Sequence, residues 1–163
     1  MGWKKSPIFF YWQVIPRCVI ISRFDIIIHS SLLSLRENSM KSKEFARFRK
    51  QLNKTQKQVA QLLGVSIKAV HSYEQGWRSV PPHVERQMFF LMARKRGTIK
   101  TQKPCWIVKK CPTKQKKECP AWEFQAGKFC WFVNGTICCG TAHAKWKEKM
   151  KLCRSCEVLA AIM

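Results

Sequence analysis

The chain has 163 residues, enough for one domain or two small ones, and 46% of them are hydrophobic, which excludes wholesale disorder. Its 31 Lys and Arg against 9 Asp and Glu give a net charge of +22. That excludes an acidic protein and directs attention to polyanions, either nucleic acid or an anionic membrane face. The excess is +3 in residues 1–39, +11 in 40–100 and +8 in 101–163, and eight of the nine cysteines lie between Cys105 and Cys156. Three segments follow: an apolar leader (1–39), a cysteine-free basic middle (42–96) and a cysteine- and tryptophan-rich module (105–158), with residues 97–104 as the linker.

The leader is rich in Ile, Phe and Leu, yet Arg17, Arg23 and Asp25 interrupt it and Pro16 breaks it. Its uncharged runs fall well short of the roughly 20 apolar residues a spanning helix needs, so no membrane association is expected. Met40 opens MKSKEFARF, an ordinary start for a basic cytoplasmic protein. The preferred reading is that residues 1–39 extend the reading frame upstream of the native start. A membrane anchor and a structural helix are the alternatives.

The middle has helical periodicity throughout. Phe45, Phe48 and Leu52 fall on one face of a first helix beginning near Ser42. Thr55 is a good N-cap for a second helix, TQKQVAQLL, with Val59, Ala60, Leu62 and Leu63 available for burial. Gly64 sits where a left-handed residue ends that helix. Ser66 caps a third helix whose buried face is Val70 and Tyr73, and Pro82 opens a fourth with Val84, Met88, Leu91 and Met92 on one stripe. Helix, short Gly-containing turn, helix is the helix-turn-helix layout.

The details are more specific than the layout. Ala60 stands where the two helices would cross, Gly64 follows four residues later, and Val70 packs back on Ala60. The run LNKTQKQVAQLLGVSIKAVHSYEQGWRSVP resembles the central motif of the Cro/repressor (XRE-type) family of bacterial and phage DNA-binding domains. The resemblance implies a four- to five-helix bundle that binds double-stranded DNA, with Gln56 on a phosphate and the third helix in the major groove. Ser66, Ile67, Lys68, His71 and Ser72 then face the DNA. Lys68 can donate to guanine, Ser72 can bond either base type, and Ile67 can touch a thymine methyl. The alternative for Ile67 is a core residue facing the fourth helix. Arg78 is the expected phosphate ligand of the following loop and Trp77 a packing residue. Such domains often pair, so a homodimer is expected, with Phe89 and Phe90 as candidate interface residues.

In the last segment the cysteines follow C-x5-C, C-x7-C, C-x10-C, C-x7-C-C, C-x13-C and C-x2-C spacing. Joined to a DNA-binding region in a reducing cytosol, thiolate–metal chemistry is preferred to disulfides. The candidate ligands are Cys105, Cys111, Cys119, Cys130, Cys138, Cys153 and Cys156, with the C-x2-C pair Cys153 and Cys156 the most credible. Zinc is the first expectation and an iron–sulfur cluster the second. Cys138 and Cys139 are adjacent, which leaves one of them a spare or redox-active thiol. Trp106, Trp122, Trp131 and Trp146, with Phe124, Phe129 and Phe132, are the expected core. CWIVKKC, CWF, CPAWEF and KLCRSCE together resemble the small bacterial two-CW module.

The fold expected is therefore mainly α, a helix-turn-helix bundle followed by a small irregular cysteine-rich module. The function expected is a sequence-specific, cytoplasmic transcriptional regulator whose cysteines bind metal or respond to redox state. An adaptor whose cysteine module binds a protein partner is the alternative. No Gly-rich phosphate loop, H-E-x-x-H or paired-carboxylate arrangement points to an enzyme.

Overall fold

A computed structural model describes residues 39–163, and the expectations for the leader fall, Ser39 apart, outside them. The fold is mainly helical. The first four helices are α1 (Ser42–Gln51), α2 (Gln56–Leu63), α3 (Ile67–Gln75) and α4 (Pro82–Arg96). Short helices follow: α5 (Thr98–Thr101), α6 (Cys105–Val108), α7 (Thr113–Lys117) and α8 (Pro120–Glu123). A 3-10 segment (Gly127–Phe132), an antiparallel hairpin of β1 (Thr136–Cys138) and β2 (Thr141–His143), α9 (Trp146–Cys153) and α10 (Glu157–Ala160) complete the chain.

The caps of the first half form as its sequence dictates. The Thr55 hydroxyl accepts from the Gln58 amide while the Gln58 side chain accepts from the Thr55 amide, a reciprocal capping box. Ser66 caps α3 by accepting from Ala69 N at 3.1 Å. Gly64 ends α2 at φ 63°, a conformation that costs other residues energy. Phe45, Phe48, Val59, Ala60, Leu63, Val70, Tyr73, Val84, Met88 and Met92 are buried as the periodicity predicts. Leu62 departs from expectation and lies on the surface.

The cysteine-rich half does not stand off from this bundle. Trp131, Met150, Leu159 and Ile162 share one buried cluster with the helix-turn-helix core. The Phe89 ring meets Trp131 edge-on at 5.9 Å on one side and Phe48 at 5.9 Å on the other. Phe89 is therefore buried between the two halves, not offered to a second copy, and Phe90 rests against Phe132. Phe89 is thus spent on the chain's own C-terminal half, whereas Phe90 stays 40% exposed. Trp131 and Trp146 are core residues as expected, whereas Phe124 and Phe132 are exposed. The module is irregular as expected, built of short helices, a 3-10 segment and one hairpin. Cys139 and Gly140, at φ 52° and 80°, make the two-residue turn of the hairpin, a backbone that matches strand twist. No helix among the described residues is long and apolar enough to cross a membrane.

Candidate nucleic-acid interface

Burying Val70 and Tyr73 turns the other face of α3 outward. Ile67 is 49% exposed, so it is no core residue, and it joins Lys68, His71 and Ser72 around a shallow hollow completed by Gln56 and Trp77. Four of the five side chains assigned to α3 and its cap are thereby gathered in one place, with Gln56 beside them. Ser66 is the exception, because its hydroxyl is engaged as the α3 cap. Ser72 donates its hydroxyl hydrogen to the Lys68 carbonyl at 2.9 Å, leaving its oxygen lone pairs outward. Arg78 is exposed on the loop beyond α3. Trp77 is corrected from a packing residue to a surface one: it is 75% exposed, its ring edge-on to His71 at 5.3 Å. Among the described residues no carboxylate lines the hollow.

What orients this face is a carboxylate behind it. Glu74 accepts from Arg49 Nε and Nη2 and from Gln56 Nε2, the last at 2.7 Å, tying α1, α2 and α3 together. Burial alone raises its carboxyl, but the bonds from Arg49 and Gln56 outweigh that and hold the group below its ordinary pKa. Nothing in the local sequence marks Glu74 for this role. An Arg 25 residues upstream carries no local pattern that could have paired them.

The seam between the halves is polar at its centre. Glu85, fully buried, accepts from Trp146 Nε1 at 2.8 Å and from Arg154 Nη2 at 2.7 Å. Arg154 also donates to both oxygens of Glu44 at 3.1 Å. Burial pushes the Glu85 carboxyl above its ordinary value despite these partners. Arg154 follows Cys153 directly, so the C-x2-C turn delivers the cation that joins the module to α1 and α4.

Seven cysteines, all those named above as candidate ligands, carry free thiols. Cys105, Cys111, Cys119, Cys130 and Cys138 line one cavity; Cys153 and Cys156, the pair expected to lead, are not on its wall. Among the described residues no group of three or more His, Cys, Asp or Glu is placed to hold a metal ion. Four of these thiols are also biased toward their neutral form. The Cys105 side chain and burial push Cys130 up, while burial raises Cys111 and Cys138 and takes Cys153 to about 12. A thiolate site for zinc or an iron–sulfur cluster would require these thiols to release their protons on ligation.

Lys149 was missed altogether. It is 1% exposed, and its ammonium donates to the Cys130 carbonyl at 2.7 Å, the Thr136 hydroxyl at 2.6 Å and the Val133 carbonyl. The signal was present: Trp146, Lys149, Met150 and Cys153 fall at i, i+3, i+4 and i+7, the buried stripe of α9.

No curated protein and no solved structure matches the chain. Residues 45–84, about a quarter of its length, match a family model described as helix-turn-helix. That match spans α1 to the start of α4, and this part of the chain is similar to helix-turn-helix domains.

Proposed function

We propose that the protein is a sequence-specific DNA-binding regulator of transcription that reads base edges with α3. The observation that carries this reading is the gathering of Ile67, Lys68, His71 and Ser72 on one exposed, carboxylate-free helix face, with Gln56 and Trp77 at its border. An α-helix fits the major groove, and side chains at its N-terminal end meet base edges. Lys68 is the one cation on α3 and reaches acceptors such as guanine O6 and N7. Ile67 supplies an apolar contact to a thymine methyl, which explains a half-exposed Ile on an otherwise polar face. Arg78 and the exposed indole of Trp77 meet the sugar–phosphate backbone from the following loop. Gln56 serves twice, as a phosphate donor and as the partner that steadies Glu74.

Binding of the full chain to duplex DNA is expected to weaken steeply with salt, because each neutralised phosphate adds nearly one unit to the log–log slope. Selection of preferred sites from a random duplex pool gives the sequence to test. Lys68→Ala is expected to cost about 1–3 kcal/mol on that site and to relax preference at one or two positions. Arg78→Ala is expected to weaken all duplexes alike and to lower the salt slope by about one unit. A Lys68→Ala protein that selects the same site with the same affinity overturns the placement of α3.

A further inference from the structure

We infer that the cysteine-rich half contains a binding site for a small, flat, apolar anion, namely an aromatic ring system carrying a carboxylate or sulfonate. The site is a cavity of about 610 Å³ whose described lining comes entirely from residues 105–157. That volume lies within the range of small-molecule pockets, roughly 300–1,000 Å³. Its walls are apolar: Trp106 and Trp122 stand perpendicular with centroids 4.9 Å apart, joined by Val108, Ala121 and Ile137. The free thiols of Cys105, Cys111, Cys119, Cys130 and Cys138 join the lining as small, polarisable groups, beside Cys139, which is in a disulfide.

Charge sets the ligand's sign. Lys109, Lys110 and Lys116 line the cavity against a single carboxylate, Glu157. The Lys116 ammonium lies over the Trp122 ring, 4.3 Å from its centroid. A cation held on an aromatic face beside a second aromatic face offers one ligand both an anion partner and a stacking surface. A neutral apolar ligand would use the walls alone, and a cationic one would meet the lysines.

One wall position is unusually tight. Gly127 packs against the Trp106 indole so closely that an added Cβ would lie 2.3 Å from a ring carbon. Any side chain there must displace Trp106, which is itself part of the lining. The cavity's shape thus depends on a glycine outside α1–α4.

The test uses the full-length protein, kept without reductant, and two dyes of nearly equal shape, anionic 8-anilinonaphthalene-1-sulfonate and neutral N-phenyl-1-naphthylamine. Saturable one-to-one binding of the sulfonate is expected, with quenching of tryptophan emission and an unchanged near-ultraviolet circular dichroism spectrum. The neutral dye should bind more weakly. Lys109→Gln combined with Lys116→Gln should weaken the sulfonate by about tenfold, the equivalent of one charge-assisted contact, and change the neutral dye's affinity less than twofold. Gly127→Ala should weaken both dyes. If that variant fails to fold, the charge variant decides alone. Absence of saturable binding, or equal losses for both dyes in the charge variant, overturns the assignment. Because no lining residue belongs to α1–α4, either result leaves the DNA-binding reading to its own test.

Discussion

The two halves of the molecule are held together by different physics. In α1–α4 the helices run from 8 to 15 residues, and apolar side chains at helical spacing do most of the stabilising. Polar side chains there work at the ends, as Thr55 and Ser66 do, or behind the outward face, as Glu74 does. Beyond Pro104 the α-helices run from 4 to 8 residues, too short to persist alone. Side chains bonded to distant backbone take over. Lys149 pins the 3-10 segment to β1, the Gln102 amide donates to the Lys128 carbonyl, and Ile137 N donates to Cys119 Sγ at 3.3 Å. Short elements shift the stabilising role from repeated apolar contacts to a few individual donors, so single substitutions should be felt more sharply there.

Lys149→Met breaks the comparison most directly, since it keeps the buried volume and removes the donor. Two carbonyls and one hydroxyl lose their partner, and each unsatisfied buried group costs about 1–3 kcal/mol. Part of that is returned because an ammonium no longer has to be desolvated. A net loss of about 3 kcal/mol in urea unfolding is expected, several times that of an exposed-site control such as Lys147→Met. A loss below about 1 kcal/mol would mean that apolar packing governs this half as it does the other.

Arg154 tests whether the halves are one cooperative unit. Arg154→Ala leaves Glu85 buried without its cation. Removing one partner of a buried pair typically costs about 3–5 kcal/mol, and the partial exposure of Arg154 brings the expectation down to about 2 kcal/mol. The larger consequence is a change in cooperativity: unfolding followed by tryptophan emission and by helix content should coincide in the parent protein and separate in the variant. Coincident curves in both would place the coupling in the Phe89–Trp131 contact instead.

Two carboxylates sharpen the contrast further, because their folded-state pKa values move in opposite directions. Glu74 is depressed, so its contribution is present at neutral pH and is lost as pH falls through the lowered value. Glu85 is raised, so the fold favours its protonated form, and its contribution grows as pH falls through that raised value. Carboxyl NMR titration should find Glu85 protonating first on acidification and Glu74 last. Glu85→Gln should lower the loss of stability on going from mild acid to neutral pH, and Glu74→Gln should lower the loss in strong acid. The reverse order of titration would refute both networks.

The first half was legible because its determinants are local. Thr55, Gly64, Ser66 and the spacing of Val59, Ala60, Leu63, Val70 and Tyr73 each act within one or two turns, and each formed as read. Ile67 was legible as an oddity whose exposure the structure resolves. The second half resisted because its decisive pairs are remote: Arg154 with Glu44 and Glu85, Trp146 with Glu85, Trp131 with Phe89. Lys149 was hidden by its own charge, since a lysine between two other lysines reads as solvated surface. Cysteine spacing was informative about clustering, as five thiols do share a cavity, yet silent about which pair would stand outside it.

The smallest expected effect tests the locality of the first half. Thr55→Ala removes the hydroxyl acceptor for Gln58 N and costs about 1 kcal/mol, whereas Thr55→Ser should cost little. Local determinants imply local damage. The Thr55→Ala protein should therefore keep the coincident unfolding that Arg154→Ala loses, and keep its preferred DNA sequence. Any fall in its affinity is expected to act through Gln56, the first residue of α2, whose bond to Glu74 steadies the face of α3. Hydrogen exchange should speed at the first turn of α2 and stay unchanged at α9. Faster exchange at α9 as well would show that the cap acts on the whole molecule, and that the two halves differ less than their construction implies.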